Sequence, residues 1–107
     1  MPGAKLRVVV SARAENDLYD VEDFWRKCGE AWRGEKYFRD LHQAAVSNLS
    51  DRASALRGRF LKDTRNPNAR SILAFGVYRI IYEIDETTER VNIIRFWHSH
   101  RDAPPLE

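Results

Sequence analysis

The sequence has a single cysteine, Cys28, and no apolar run near the length of a membrane span. One cysteine cannot form an internal disulfide, and a bilayer-spanning helix needs roughly 20 apolar residues in succession. The N-terminal stretch MPGAKLRVVV is also too short in apolar residues for a signal peptide, because its apolar run ends at Val10. These absences predict a cytoplasmic protein with no disulfide framework and no contact with a membrane.

A large excess of one charge is absent too, since the formal net charge of the 107 residues is only +2. The length and the 43% hydrophobic content predict one globular domain, residues 1–107. The charge is nevertheless unevenly distributed: Arg57–Arg70 holds five basic residues and one acidic residue. Such a segment either faces an anionic partner or is a solvated loop, and both interpretations stay open.

Two helices are predicted from apolar residues spaced three and four apart. Ser11 is a suitable N-cap for the first, and Gly29 can supply the positive φ that often follows a helix. The second runs from about Ala31 to about Leu49. Cys28 lies on the apolar stripe of the first helix, which favours a small core residue over a nucleophile. The short link predicts that the two helices form an antiparallel hairpin.

Strands are predicted before and after these helices, where residues are β-branched or aromatic. The segment between Asn48 and Arg70 is expected to be mostly irregular, because Pro67 interrupts any regular element. The predicted strands are Lys5–Val10, Ser71–Phe75, Tyr78–Ile84 and Arg90–His98. The expected fold class is therefore α+β, with an N-terminal strand, an antiparallel helical hairpin and then a three-stranded antiparallel sheet.

The register of the last hairpin decides which of its side chains share a face. With the turn centred on Thr87 and Thr88, paired residue numbers sum to about 175. The predicted core face then carries Tyr78, Ile80, Tyr82, Ile84, Val91, Ile93, Arg95 and Trp97. The other face carries Arg79, Ile81, Glu83, Asn92, Ile94, Phe96 and His98. Arg79 and His98 become neighbours within roughly 5 to 8 Å, although a slip of one residue would separate them.

Arg79 and His98 together suit phosphate chemistry. A guanidinium offers a planar fork of donors, and an imidazole can hold or release a proton near neutral pH. The alternative is that Arg79 forms a surface ion pair and that His98 simply closes a strand. Further candidates for binding phosphate or a target are Arg59, Lys62, Arg65, Arg70 and Arg101. His98 and His100 lack further ligands at a known spacing, so no metal and no cofactor is expected.

Three segments carry a family resemblance: SARAENDL after the first strand, YRIIYEID at Tyr78–Asp85 and FWHSHRD at Phe96–Asp102. With these segments the chain resembles the RelE/ParE family of toxins, the toxic components of type II toxin–antitoxin modules. The resemblance spans nearly the whole sequence and implies two helices packed on a twisted antiparallel sheet. The LAFGVYRIIYEID run and the HxxRD ending look more like the ParE branch.

The resemblance implies two possible targets. ParE-like members poison DNA gyrase through protein contact and need no catalytic residues, and this target is favoured. RelE-like members cleave mRNA on the ribosome; there Arg79 would stabilise the developing charge and His98 would act as general acid or base, assisted by Lys62 or Arg59. A third hypothesis is a non-catalytic nucleic-acid-binding domain built on Arg57–Arg70.

The partner implied by the resemblance is a cognate antitoxin, whose disordered C-terminal segment would fold onto the toxin. We expect it to cover apolar residues of the helical hairpin, and the candidates are Leu18, Trp25, Phe38 and Leu41. The remaining partner would be the target itself, either DNA gyrase or the ribosome with its mRNA.

Overall fold

Residues 5–62 and 65–98 are described by a computed structural model, in which helices cover one face of a mixed sheet. The helices are α1 (Ala12–Lys27), α2 (Ala31–Leu49) and α3 (Arg52–Ala55). The strands are β1 (Arg7–Val10), β2 (Arg59–Phe60), β3 (Arg70–Ala74), β4 (Tyr78–Asp85) and β5 (Arg90–His98). None of the helices in these two ranges is both long and apolar enough to cross a membrane.

Helix α1 begins and ends as its capping residues predict. Ser11 Oγ accepts a hydrogen bond from the Ala14 N–H at 3.0 Å, and Gly29 has a φ of +83°. The prediction for Cys28 is wrong, because this residue is the C-cap of α1 and its side chain is exposed there. The apolar stripe of α1 therefore ends before Cys28.

Within residues 5–62 and 65–98, the sheet has five strands in the order β1-β5-β4-β3-β2. The antiparallel pairing of β3, β4 and β5 is confirmed, while β1 lies parallel to β5 and extends the sheet. The segment expected to be irregular contains α3, capped by Asp51, and the short strand β2, which pairs with β3. The α+β class is thus confirmed, but the sheet is larger than predicted and is mixed.

The main core lies between the helices and the sheet. It contains Leu18 of α1 and Leu41 of α2, both with no exposed surface, packed on Ile80, Tyr82 and other strand residues. A smaller cluster lies on the opposite side of the sheet, which we call the outer face. Its members are Ala69, Ile81 and Trp97, with Leu61 and Ile94 packed against them.

A β-bulge changes the register between β4 and β5. Near the turn Tyr82 pairs with Ile93 as predicted, but the next pair is Ile81 with Arg95, which leaves Ile94 as an extra residue. One inserted residue moves every later side chain of the strand to the other face. The predicted faces are therefore wrong for residues 95–98: Phe96 joins the main core and Trp97 joins the outer cluster.

Candidate functional site

The bulge separates the two residues that were expected to share a phosphate. Arg79 pairs with Trp97 on the outer face, whereas His98 pairs with Tyr78 on the helix-covered face. The prediction that Arg79 and His98 are same-face neighbours is therefore wrong. A single phosphate cannot contact both side chains across the thickness of a sheet.

Arg79 is exposed on the outer face, close to a second arginine. Its Nη1 donates to Ser71 Oγ at 3.4 Å, and Ser71 is also the register partner of Arg59 on β2. Arg59 is opposite Ser71 and Arg79 is opposite Leu73, so their backbones are two strand spacings and two residues apart, roughly 12 Å. Both long side chains can approach one extended anionic ligand.

The segment after β2 carries two more exposed basic residues. Leu61 and Ala69 close the loop through a 3.0 Å backbone hydrogen bond and pack on the outer cluster. Lys62 and Arg65 are exposed in this loop. We name the set Arg59, Lys62, Arg65 and Arg79 the basic face.

Among the described residues of β4, the carboxylates of Glu83 and Asp85 lie on this side of the sheet, and Glu83 is the nearer to the segment after β2. Glu83 accepts a hydrogen bond from Asn66 Nδ2 at 2.7 Å. Among the described residues, the four cations of the basic face outnumber the partly buried carboxylates of Glu83 and Asp85, so the basic face favours an anionic partner.

Two other predicted phosphate ligands do not join the basic face. Arg70 lies opposite Tyr82, and its Nη1 donates to the carbonyl oxygens of Leu56 and Gly58 at 2.9 and 3.2 Å. Its guanidinium also lies 4.1 Å from the centre of the Phe60 ring. Arg70 therefore fastens the turn between α3 and β2 to the sheet. Arg101 lies outside the described residues.

His98 lines a groove of about 370 Å³ between α1 and the end of β5. Its ring meets Tyr78 edge to face at 5.4 Å, and the Tyr78 hydroxyl accepts a hydrogen bond from Trp25 Nε1 at 3.3 Å. Burial raises the pKa of Tyr78, so its hydroxyl stays protonated at neutral pH. The groove is mostly apolar, with Val21 and Phe24 of α1 opposite Phe96 of β5.

A buried ion pair closes the edge of β5 beyond the end of β1. Arg95 Nε and Nη2 donate to the two carboxylate oxygens of Asp17 at 2.7 and 2.9 Å, and the Phe96 N–H donates to the same carboxylate at 3.0 Å. The hydrogen bonds that Arg95 donates to Asp17 raise the pKa of the Arg95 guanidinium. Sequence reasoning missed this pair, because the partners are 78 residues apart and follow no motif.

Aromatic side chains gather where the helical hairpin meets the β3–β4 turn. Trp25 stacks on Tyr37 with ring centres 5.8 Å apart, and Tyr37 meets both Tyr78 and Phe75 edge to face. The Arg33 guanidinium lies 5.0 Å from the Trp25 ring centre. We call this cluster the aromatic pole: Trp25, Trp32, Arg33, Tyr37, Phe75 and Tyr78.

The four residues predicted to contact the antitoxin differ in how much of their surface is exposed. Leu18 and Leu41 are fully buried in the main core, so neither side chain can contact a partner and the prediction for these two is corrected. Trp25 and Phe38 are half-buried and remain predictions. Phe38 also packs against Tyr19, which is 56% exposed. Within residues 5–62 and 65–98, no cluster of three or more His, Cys, Asp or Glu side chains has the arrangement to hold a metal ion.

Comparisons with known proteins agree with this architecture. Residues 8–103 match a family model described as the ParE toxin of the type II toxin–antitoxin system parDE. The fold is similar to a chain of the RelBE2 toxin–antitoxin complex from Mycobacterium tuberculosis, with 22% identity and a TM-score of 0.69 over 92% of this chain and 95% of that chain. It is also similar to a chain of the chromosomal ParDE system from P. aeruginosa, with 16% identity and a TM-score of 0.69 over 89% and 97%. No curated protein sequence matches significantly.

Proposed function

Because the chain belongs to the ParE toxin family of type II toxin–antitoxin systems, we propose that it arrests growth by poisoning DNA gyrase. The observation that carries this choice is the separation of Arg79 from His98 by the sheet. An mRNA endonuclease of the kind considered above needs both groups on one scissile phosphate. A poison that acts by contact needs no such pair, and the geometry therefore favours it.

The basic face is the surface we propose for the nucleic acid at the target. Gyrase acts while bound to DNA, so a poison of the complex meets phosphate as well as protein. Arg59 and Arg79 supply fixed positive charge from adjacent parts of the sheet, and Lys62 and Arg65 extend it. Charge of this kind contributes affinity without reading sequence, because it contacts phosphates rather than bases.

The partner that restrains the toxin is an antitoxin. We propose that a segment of it folds over the half-buried residues Trp25 and Phe38 of the helical hairpin and covers exposed apolar neighbours such as Tyr19 and Phe24. Exposed apolar surface of this kind is unusual on a free monomer and common where a partner binds. The proposed location is the cytoplasm, where gyrase and its DNA are found.

Purified toxin, gyrase and supercoiled plasmid test the target directly. We expect toxin-dependent linear plasmid after denaturation of the gyrase complexes, and intact mRNA when the same toxin is added to a translating extract. Arg79→Ala should weaken the gyrase effect, while Arg39→Ala on α2, an arginine with a 71% exposed side chain, should not. Defined mRNA cuts that disappear in Arg79→Ala, together with intact plasmid, would contradict the proposal. Salt-sensitive DNA binding without breaks or cuts would favour the non-catalytic binding domain.

A further inference from the structure

Arg70 is a half-buried cation on the side of the sheet that faces the helices. Its register partner on β4 is Tyr82, a member of the main core. A charged side chain taken out of water is normally paired with an opposite charge, but no carboxylate among the described residues forms an ion pair with Arg70. Its Nη1 donates instead to the backbone carbonyl oxygens of Leu56 and Gly58, at 2.9 and 3.2 Å. The charge of Arg70 is therefore directed at one short stretch of backbone.

This stretch is the turn between α3 and β2, and its own backbone hydrogen bonds do not link it to the sheet. The N–H groups of Arg57 and Gly58 donate to the carbonyl oxygens of Ser54 and Ala55, at 3.1 and 3.4 Å, and both acceptors belong to α3. The strand that follows pairs with β3 over two residues only, and both of them are exposed. Segments with so few buried contacts open easily, so the position of this turn depends on side chains that reach it from the sheet.

Tyr82 is a second side chain that reaches the turn. Its hydroxyl donates to the Ala55 carbonyl oxygen, and a Cβ added at Gly58 would lie 1.9 Å from the hydroxyl oxygen. Gly58 therefore packs directly on the Tyr82 ring and hydroxyl, where a residue with a side chain does not fit. Because Arg70 and Tyr82 are register partners on β3 and β4, the turn is fastened to the middle of the sheet as well as to its edge.

Arg59 of the basic face lies between two residues that the Arg70 guanidinium contacts. Gly58 precedes it and accepts the hydrogen bond from Arg70, and Phe60 follows it with its ring centre 4.1 Å from the same guanidinium. Side chains alternate along a strand, so Arg59 points to the outer face while Phe60 lies on the side of the helices. The Arg59 side chain forms no hydrogen bond or ion pair with the described part of the chain, so its backbone sets its direction.

We propose that Arg70 is a positioning residue of the basic face, which holds the turn before β2 so that Arg59 is fixed where a nucleic-acid phosphate binds. This role rests on the proposed function of the basic face, and it gives Arg70 no phosphate contact of its own. A side chain that is already in place loses less conformational entropy on binding. Release of the turn should therefore weaken the phosphate contact of Arg59 although Arg59 keeps its charge.

A double-mutant cycle of Arg59→Ala and Arg70→Gln tests this role with the purified full chain and a short DNA duplex, by fluorescence anisotropy. One phosphate contact is worth about eightfold in affinity at about 0.1 M KCl, from a salt slope of roughly −0.9 per contact. We expect Arg59→Ala to weaken binding by about that factor and Arg70→Gln by roughly threefold or more. The double variant should bind as Arg59→Ala does, because Arg70 acts only through Arg59.

Arg13→Gln is the control, since it removes the same charge from an exposed position on α1 and should leave the affinity unchanged. An equal loss in Arg13→Gln and Arg70→Gln would overturn the positioning role in favour of overall charge. Additive losses in the cycle would also overturn it, because a direct phosphate contact of Arg70 or a general weakening of the fold acts with or without Arg59.

Hydrogen exchange gives a readout that needs no DNA. The backbone amides of residues 57–61 should exchange faster in Arg70→Gln, while those of β4 should not change. Faster exchange with full DNA affinity would retain the fastening of the turn and overturn its role in binding. If Arg70→Gln does not fold, Tyr82→Phe takes its place in the cycle, because it releases the same turn without a change in charge, and the same outcomes decide.

The effect of Arg59→Ala alone separates this inference from the proposed function. Full DNA affinity of Arg59→Ala would remove the basic face as the nucleic-acid surface and the positioning role with it. A loss of affinity in Arg59→Ala without a loss in Arg70→Gln would remove the positioning role and retain the basic face.

Discussion

Among single residues, Asp17 and Arg95 have the strongest effect on stability that the structure indicates. Their side chains are 8% and 10% exposed, and the carboxylate also holds the Phe96 N–H. Removing one member of a buried ion pair leaves the other charge unpaired, which typically costs 3 kcal/mol or more, so we expect Asp17→Asn to lower the free energy of unfolding by about 3 kcal/mol. Urea denaturation followed by fluorescence measures this change in the free energy of unfolding.

A double-mutant cycle isolates the interaction between the two side chains. Arg95→Met alone should also be strongly destabilising, whereas Asp17→Asn with Arg95→Met should cost clearly less than the sum of the two single changes. Additive losses would show that the two charges are not coupled.

At the scale of elements, the crossing of α1 and α2 depends on Gly34. A Cβ added there would lie 2.7 Å from the Glu22 carbonyl oxygen and 3.1 Å from Trp25 Cβ, so the helices must move apart. Alanine gains about 1 kcal/mol of helix propensity, but overpacking against backbone costs roughly 1 to 3 kcal/mol. We expect Gly34→Ala to be net destabilising by about 1 kcal/mol. Ser47→Ala on the exposed side of α2 is the control and should be neutral or slightly stabilising; a stabilised Gly34→Ala would contradict the close crossing.

The β4–β5 turn adds an element whose stability depends on pH. Asp85 accepts hydrogen bonds from the N–H groups of Thr87 and Thr88 at 3.0 and 3.3 Å, and its bonds to Thr88 hold the pKa of the carboxyl below its ordinary value of 3.8. A lowered pKa gives stability that is present above pH 3.8 and is lost as the pH falls through the folded-state pKa. Urea midpoints should therefore fall less steeply below pH 4 for Asp85→Asn than for the unchanged protein. If the urea midpoints of the two proteins fall equally steeply below pH 4, the charge on Asp85 does not stabilise the turn.

The same elements show what sequence reasoning could reach. The bounds of α2 and β5 were predictable, because the spacing of apolar residues in a helix and the run of β-branched and aromatic residues in a strand are local signals. The bulge at Ile94 was not, since one extra residue in a strand leaves no period of its own, and it reversed the placement of His98. The basic segment was visible in the sequence. However, Arg59 faces the outer side of the sheet and Arg70 faces the helices, and this difference depends on the pairing register of β2 with β3.

On the scale of the whole molecule, the charge distribution predicts how the toxin meets nucleic acid. In the basic face, Arg59 and Arg79 lie on the outer side of the sheet, and Lys62 and Arg65 are exposed in the segment that follows β2. If all four contact phosphates of a short duplex, the logarithm of the binding constant should fall with the logarithm of salt concentration with a slope of about −3.6, roughly −0.9 for each contact. Fluorescence anisotropy at several KCl concentrations measures this slope.

Arg59→Ala combined with Arg79→Ala should halve the slope to about −1.8, because two of the four contacts are lost. Arg13→Ala combined with Arg39→Ala removes the same charge from exposed positions on α1 and α2 and should leave the slope unchanged. Net charge is equal in the two double variants, so a difference between them can only come from where the charge lies. Equal slopes would mean that the toxin attracts DNA through its overall charge, and the outer face would then have no special role at the target.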